Sequence, residues 1–188
     1  MYTKQKLDQY YPLTEEEFEL FLSKCTEKIY QKKALVHEQG FTCKGIYWIQ
    51  RGLIRMYELK DGKEFHQDFF FENQFATDIS SLTAQVPSNS TLVALEDTEA
   101  LYCSRTDLLN LYQVSHNFQG FGRQILETLL VERTQFAHLH SSLNAQERYD
   151  YIVREKPHLL QRVPLQYLAS YLGIARETLS RIRKRTMK

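Results

Sequence analysis

Pro164-Leu-Gln-Tyr-Leu-Ala-Ser-Tyr-Leu-Gly-Ile-Ala-Arg-Glu-Thr-Leu-Ser-Arg-Ile-Arg-Lys184 reads as two short amphipathic helices around a tight turn. Leu168, Ala169 and Leu172 make the inner face of the first helix, and Ala169 is small enough to let the second approach. Gly173 supplies the positive dihedral that the turn needs, because it has no Cβ to clash there. Ile174 plugs the turn, and Leu179 with Ile182 form the inner face of the second helix. Pro164 suits the first helical position, where its missing N–H would be unpaired anyway. The pattern is a helix-turn-helix, whose geometry delivers the second helix to a DNA major groove.

The outward face of that second helix carries Arg176, Glu177, Ser180, Arg181 and Lys184. Arginine suits bidentate contacts to guanine, glutamate can accept from cytosine, and flanking cations suit phosphates. Charge is distributed accordingly: residues 163–188 carry +5, whereas the preceding 162 residues carry −4. A short basic end on an acidic protein is the asymmetry expected where one segment meets a polyanion. A helical hairpin with a solvated charged face, ending in a frayed basic tail, is the competing reading.

Upstream, short apolar or aromatic runs recur between turn signals at Lys28–Val36, Gly45–Gln50, Leu53–Leu59, Lys63–Phe71, Thr91–Leu95 and Glu99–Cys103. Asp61-Gly62 between the third and fourth runs favours a two-residue hairpin turn. Strands at this spacing predict an antiparallel sandwich or jelly-roll barrel. Beyond Cys103, Ser104 with Asp107 three residues on marks a helix start. A long helical stretch then covers His116 to Leu143, with Phe118, Phe121, Ile125, Leu129 and Phe136 among its apolar positions. These cover more than one narrow stripe, so one face can pack inward and another can meet a partner, and the length favours a dimer helix. A further helix is predicted over Ala145–Arg154, with a break at Pro157.

The chain has 188 residues, 43% hydrophobic and 25% charged, with 7 Gly and 4 Pro, which excludes collagen-like and disordered classes. No window approaches the roughly 18 apolar residues that span a bilayer, and the lysines near the N-terminus precede no apolar segment, so a cytoplasmic location is expected. Cys25, Cys43 and Cys103 are odd in number and widely spaced, which predicts free thiols rather than a disulfide framework or structural zinc. Phosphate-loop, nucleophile-elbow and His-Glu-x-x-His motifs are missing, so no catalytic residue and no metal site are assigned and the chain is not read as an enzyme.

The segment Gly173-Ile-Ala-Arg-Glu-Thr-Leu-Ser-Arg resembles the recognition-helix signature of the Crp/Fnr family of bacterial transcription regulators. Leu35-Val-His-Glu-Gln-Gly40, Ile46-Tyr-Trp-Ile-Gln-Arg-Gly52 and Asp61-Gly62-Lys-Glu64 fall in the order of that family's effector domain, so the similarity runs from about Glu15 to Lys184. The resemblance implies an α+β protein: a jelly-roll, cyclic-nucleotide-binding-like barrel with flanking helices over residues 1–112, a dimerisation helix over 113–143, and a helix-turn-helix domain over 144–188. It also implies a homodimer on an inverted repeat of double-stranded DNA, with RNA polymerase as a further partner and none in a membrane. By carry-over, Arg176, Glu177, Ser180 and Arg181 contact bases, and Gln166, Thr178, Arg183 and Lys184 contact phosphates. Two departures stand out: Ala175 replaces the usual Ser or Thr before the Arg-Glu pair, and the chain ends without the hairpin wing that commonly follows the recognition helix.

The family's nucleotide cassette pairs a Gly-Glu for the ribose with an Arg-Ser for the cyclic phosphate. In register stand Thr77-Asp78 and Ser88-Asn89, or Asn89-Ser90 one residue on. Residues 64–104 hold no lysine or arginine but seven acids, Glu64, Asp68, Glu72, Asp78, Glu96, Asp97 and Glu99. A buried phosphate needs charge-assisted donors, so this degenerate pocket is expected not to bind cyclic AMP or cyclic GMP, and no cofactor is assigned. Three scattered cysteines do not make an iron–sulfur set. Six histidines, His37, His66, His116, His138, His140 and His158, leave a haem ligand open, and the effector is unnamed. The alternative function is a barrel-based small-molecule sensor or scaffold, haem- or redox-responsive, with only nonspecific DNA contact.

Overall fold

The apolar runs between Cys25 and Ser104 fold into two four-stranded sheets in the computed structural model, which describes residues 4–186. The chain divides into two units, one of residues up to 56 with 69–129, the other of 57–68 with 130 onward.

In the first unit, one sheet has the order β1 (Cys25–Tyr30), β8 (Thr98–Ser104), β3 (Gly45–Arg51), β6 (Phe75–Ala76). The other runs β2 (Leu35–His37), β7 (Thr91–Ala94), β4 (Ile54–Lys60), β5 (Lys63–Phe70), and the outer ends of β4 and β5 group with the second unit. Period-2 alternation sorts the side chains. Ile49, Ile54, Met56, Phe70, Ala76 and Leu92 fill the space between the sheets. Ile46, Trp48, Phe75, Leu101 and Cys103 face the other way, into a second apolar layer. Helices cover that layer: α2 (Glu15–Lys24) with Phe18 and Phe21, α3 (Ile79–Ala84) with Leu82, α4 (Arg105–Val114) with Leu108 and Leu111, and the first half of α5 (His116–Ser142). Each such side chain contributes about 1.5–3 kcal/mol on burial. Helix starts are set by side chains, Thr14 with Glu17 in a capping box for α2 and Ser104 accepting from the Asp107 N–H for α4. A short helix α1 (Gln5–Asp8) buries Leu7 against the same layer.

Two strand readings are corrected. The run Lys28–Val36 is two strands in different sheets, because the chain turns over Gln31–Ala34. Lys33 takes φ 74° there, and the Asp97 carboxylate accepts the Lys32 N–H. The two-residue strand β6 carried no sequence signal. The Asp61-Gly62 hairpin is present, with φ 52° and 74° at its two central residues. All three cysteines are free, and Cys25 stands directly across from Cys103 in the β1–β8 register.

Phe118, Phe121 and Ile125 lie buried in the first unit's own core, which corrects any partner-facing role for them; Leu129 packs partly buried against it. The large apolar residues that α5 leaves exposed are Leu126, Leu130 and Val131. Phe136 packs its ring 4.4 Å from His140 and 5.2 Å from Tyr171 within the second unit.

The second unit also contains α6 (Ala145–Glu155), α7 (Pro157–Arg162), α8 (Leu165–Tyr171) and α9 (Arg176–Thr186). Asn144 and Glu147 form the capping box of α6. Pro157 starts α7 rather than merely breaking the chain. Pro164, read as the first helical residue, is instead the cap, because its ψ of 140° is extended. Helix α6 packs on α7 and α9, and α8 on α7 and α9. No helix is long and apolar enough to cross a membrane among the described residues.

Candidate nucleic-acid interface and sensor residues

The second unit's central turn is held by backbone geometry. Gly173 takes φ 65°, its N–H donates to Ser170 O, and the Ile174 N–H reaches back to Ala169 O. These two bonds are the Schellman pattern that ends a helix on a left-handed residue. Leu168, Ala169, Leu172, Leu179 and Ile182 are all buried, so the two helices are locked by the faces the sequence assigned to them.

The Arg148 guanidinium adds a clamp. It donates to Leu143 O, Leu172 O and His140 O, each at 2.9 Å, and so satisfies carbonyls at the end of α5 and the end of α8. His140 Nε2 lies 2.9 Å from Tyr171 O. A carbonyl only accepts, so Nε2 carries the proton, and burial holds the ring's pKa below the ordinary histidine value. Neither residue has a sequence signature; their roles follow only from the packing of α5, α6 and α8.

Arg176, Glu177, Arg181 and Lys184 are exposed on α9, with Ser180 half-buried beside them. At about 100° per residue these five span one face, opposite Leu179 and Ile182. Of the residues assigned to phosphates, Gln166 is exposed on α8, and Thr178 and Arg183 are half-buried on α9. Arg181 donates to Thr178 Oγ1 at 3.3 Å, which links a base-contacting candidate to a phosphate-contacting one.

In the first unit, the cassette positions lie together at the start of α3, but not as open donors. Thr77 Oγ1 donates to Gly45 O at 3.0 Å. The Asp78 carboxylate caps α3, accepting from the Ser80 and Ser81 N–H groups at 3.0 and 3.3 Å. Its other oxygen accepts the Ser88 hydroxyl at 2.6 Å, and Ser88 Oγ in turn accepts the Ser90 N–H at 2.9 Å. Thr77, Asp78, Ser88 and Ser90 are buried, whereas Asn89 is exposed. The backbone donors at the start of α3 therefore face an acid of the chain itself. Burial pushes the pKa of His37 down even with Asp78 nearby, so it supplies no cation at neutral pH. Among the described residues, no group of three His, Cys, Asp or Glu is placed to hold a metal ion.

Residues 27–115 match the cyclic nucleotide-binding domain family. No curated protein matches the chain. Among solved structures, the catabolite activator protein of Thermus thermophilus is 25% identical, with 96% of this chain and 85% of that chain covered and a TM-score of 0.61. FixK2 of Bradyrhizobium japonicum is 18% identical over 86% of this chain and 83% of that one, with a TM-score of 0.75. A putative Crp/Fnr-family transcriptional regulator of Eubacterium rectale is 16% identical over 95% and 88%, with a TM-score of 0.69.

Proposed function

We propose that this chain, which has a cyclic nucleotide-binding domain within the fold of the Crp/Fnr transcription regulators, acts as a homodimer that reads an inverted-repeat DNA site. The observation that carries the reading is α9: its buried side fixes it to α8, and its outward side presents Arg176, Glu177, Ser180, Arg181 and Lys184 together. In such a dimer two recognition helices enter successive major grooves about 34 Å apart. Arg176, Glu177 and Arg181 read bases, while Gln166, Arg183 and Lys184 hold the phosphate backbone and make affinity fall with salt. The exposed Leu126, Leu130 and Val131 of α5 supply apolar surface for the dimer contact.

The sensor domain in this reading does not take a cyclic nucleotide. A cyclic phosphate needs a cation and free N–H donors; the Asp78 carboxylate already accepts from the start of α3, and no Lys or Arg occurs over residues 64–104. Regulation then rests on a population shift driven by another effector with different affinity for two states.

Selection of bound sequences from a random double-stranded pool by the purified, ligand-free protein, at fixed salt, tests the reading. Enrichment of an inverted repeat is the expected result. Binding that is uniform across sequences and lost with rising salt would instead assign the basic end to nonspecific contact with a sensor or scaffold.

A further inference from the structure

A cavity of about 210 Å³ lies wholly within the first unit, between β3, α3, α4 and α5. Its walls are apolar, chiefly Ile46, Leu82, Leu108, Ile125 and Leu129, with Tyr112 standing against Gly122 of α5. It is a different place from the cassette: Asp78, Ser88, Asn89 and Ser90 do not line it, and Thr77, which does, has its hydroxyl committed to Gly45 O. One charge lines it, that of Arg105. The Arg105 Nε donates to Leu82 O at 3.1 Å, which fixes the guanidinium plane while its terminal amino groups have no carboxylate partner among the described residues. No acid lines the cavity; Asp107, two residues along α4, is engaged with Ser104 at the helix cap.

We infer that this cavity is a binding site for a small aromatic or branched aliphatic carboxylate, its apolar body among Ile46, Leu108 and Ile125 and its anionic head on Arg105. An apolar cavity of roughly 150 Å³ takes benzene, and drug-sized ligands need about 300 Å³ or more, so this volume suits a one- or two-ring acid. Guanidinium is the side chain best shaped for a carboxylate, in two parallel hydrogen bonds. Because Gly122, Ile125, Leu126 and Leu129 bring α5 to the cavity, such a ligand ties that helix to α3 and α4 of the same unit. The inference rests on the reading of this unit as a sensor and gives that sensor its ligand class.

The test is calorimetric titration of the full chain, without DNA, with 2-naphthoate and with its neutral counterpart 2-naphthylmethanol. The expected result is saturable binding of one naphthoate per chain, with the alcohol at least about tenfold weaker. Arg105→Gln is expected to bring the two ligands to similar affinity, and Leu129→Trp to weaken both. For the unmutated protein, the amide resonance of Gly122 is expected to shift on titration with naphthoate. Lack of saturable binding, equal affinity for acid and alcohol, or an unmoved Gly122 resonance would overturn the assignment. Since the readouts contain no DNA, failure here leaves the DNA-reading proposal standing, and failure of DNA selection leaves the ligand result standing.

Discussion

The hydroxyl of Ser170 accepts the backbone N–H of His66 at 3.1 Å, joining helix α8 to the end of the β4–β5 hairpin. The same hydroxyl donates to Glu64 O at 2.8 Å, and the buried His66 ring stacks on Tyr167, one α-helical turn before Ser170, with centroids 4.7 Å apart. The hairpin end and the first helix of the helix-turn-helix are thus one packed piece. Removing the hydroxyl takes a hydrogen-bond partner from the His66 N–H and from Glu64 O at once. Ser170→Ala is therefore expected to cost about 1–3 kcal/mol in the second unit, and hydrogen exchange at the His66 amide should speed up. An unchanged exchange rate would mean that this contact does not hold the hairpin end in solution.

Arg181 tests the proposal that α9 reads DNA. It is exposed, its side chain donates to Thr178 on the same helix, and its truncation leaves the buried face of Leu179 and Ile182 untouched. Arg181→Ala is expected to cost roughly 1–3 kcal/mol at the selected site with little change on random DNA. Titrations of both DNAs at one salt concentration decide it. Equal loss on the two would place Arg181 with the phosphate contacts.

Much of the helix-turn-helix was legible because each of its requirements maps to one residue type: apolar spacing for Leu168, Leu172, Leu179 and Ile182, and a left-handed turn for Gly173. The long helix was legible in its extent but not in its facing. Phe118, Phe121 and Ile125 look like partner surface by hydropathy, yet the outward side of the β1–β8–β3 sheet needed cover and took them. Nor could local pattern reveal the switch of sheet after Tyr30, since both sides of the turn favour strand. Arg148, Ser170 and His140 act through carbonyls and N–H groups distant in sequence, which leave no imprint in local composition. In sequence Asp78 is only a departure from a cassette; its role as the cap of α3 depends on Ser80, Ser81 and Ser88 folding around it.

That cap gives a further prediction. Asp78→Ala removes an N-cap and the nearer of two acceptors of the buried Ser88 hydroxyl, the other being Ser90 O, so about 1–3 kcal/mol of first-unit stability should be lost. Neither the unmutated chain nor this variant should bind cyclic AMP, because removing the acid supplies no cation. Isothermal titration with cyclic AMP reads this directly. Saturation at micromolar nucleotide in the unmutated chain would overturn the degenerate reading of the cassette.

Glu132 of α5 makes the second unit sensitive to pH. Burial, with the charge of Asp68 adding to it and Lys156 opposing it, raises its carboxyl from the ordinary 4.5 to about 7. The hydroxyl of Tyr171, buried against the same two acids, is likewise pushed well above its ordinary value. A carboxyl whose native pKa lies above its unfolded one is tolerated fully only when protonated. Stability is thus unpenalised below about pH 4.5, falls as pH rises from there to about 7, and levels off above, where the native state too carries the half-buried group ionised. Glu132→Gln keeps the shape and removes the ionisation. Discounted for the partial exposure of the site, the variant should be more stable than the unmutated chain by about 1–2 kcal/mol at pH 8. Urea unfolding followed through the second unit at pH 5 and pH 8 measures the difference, which should shrink toward the lower pH. A gap of the same size at both values would mean that the gain comes from packing or hydrogen bonding of the amide, and that Glu132 titrates as an ordinary solvated carboxyl.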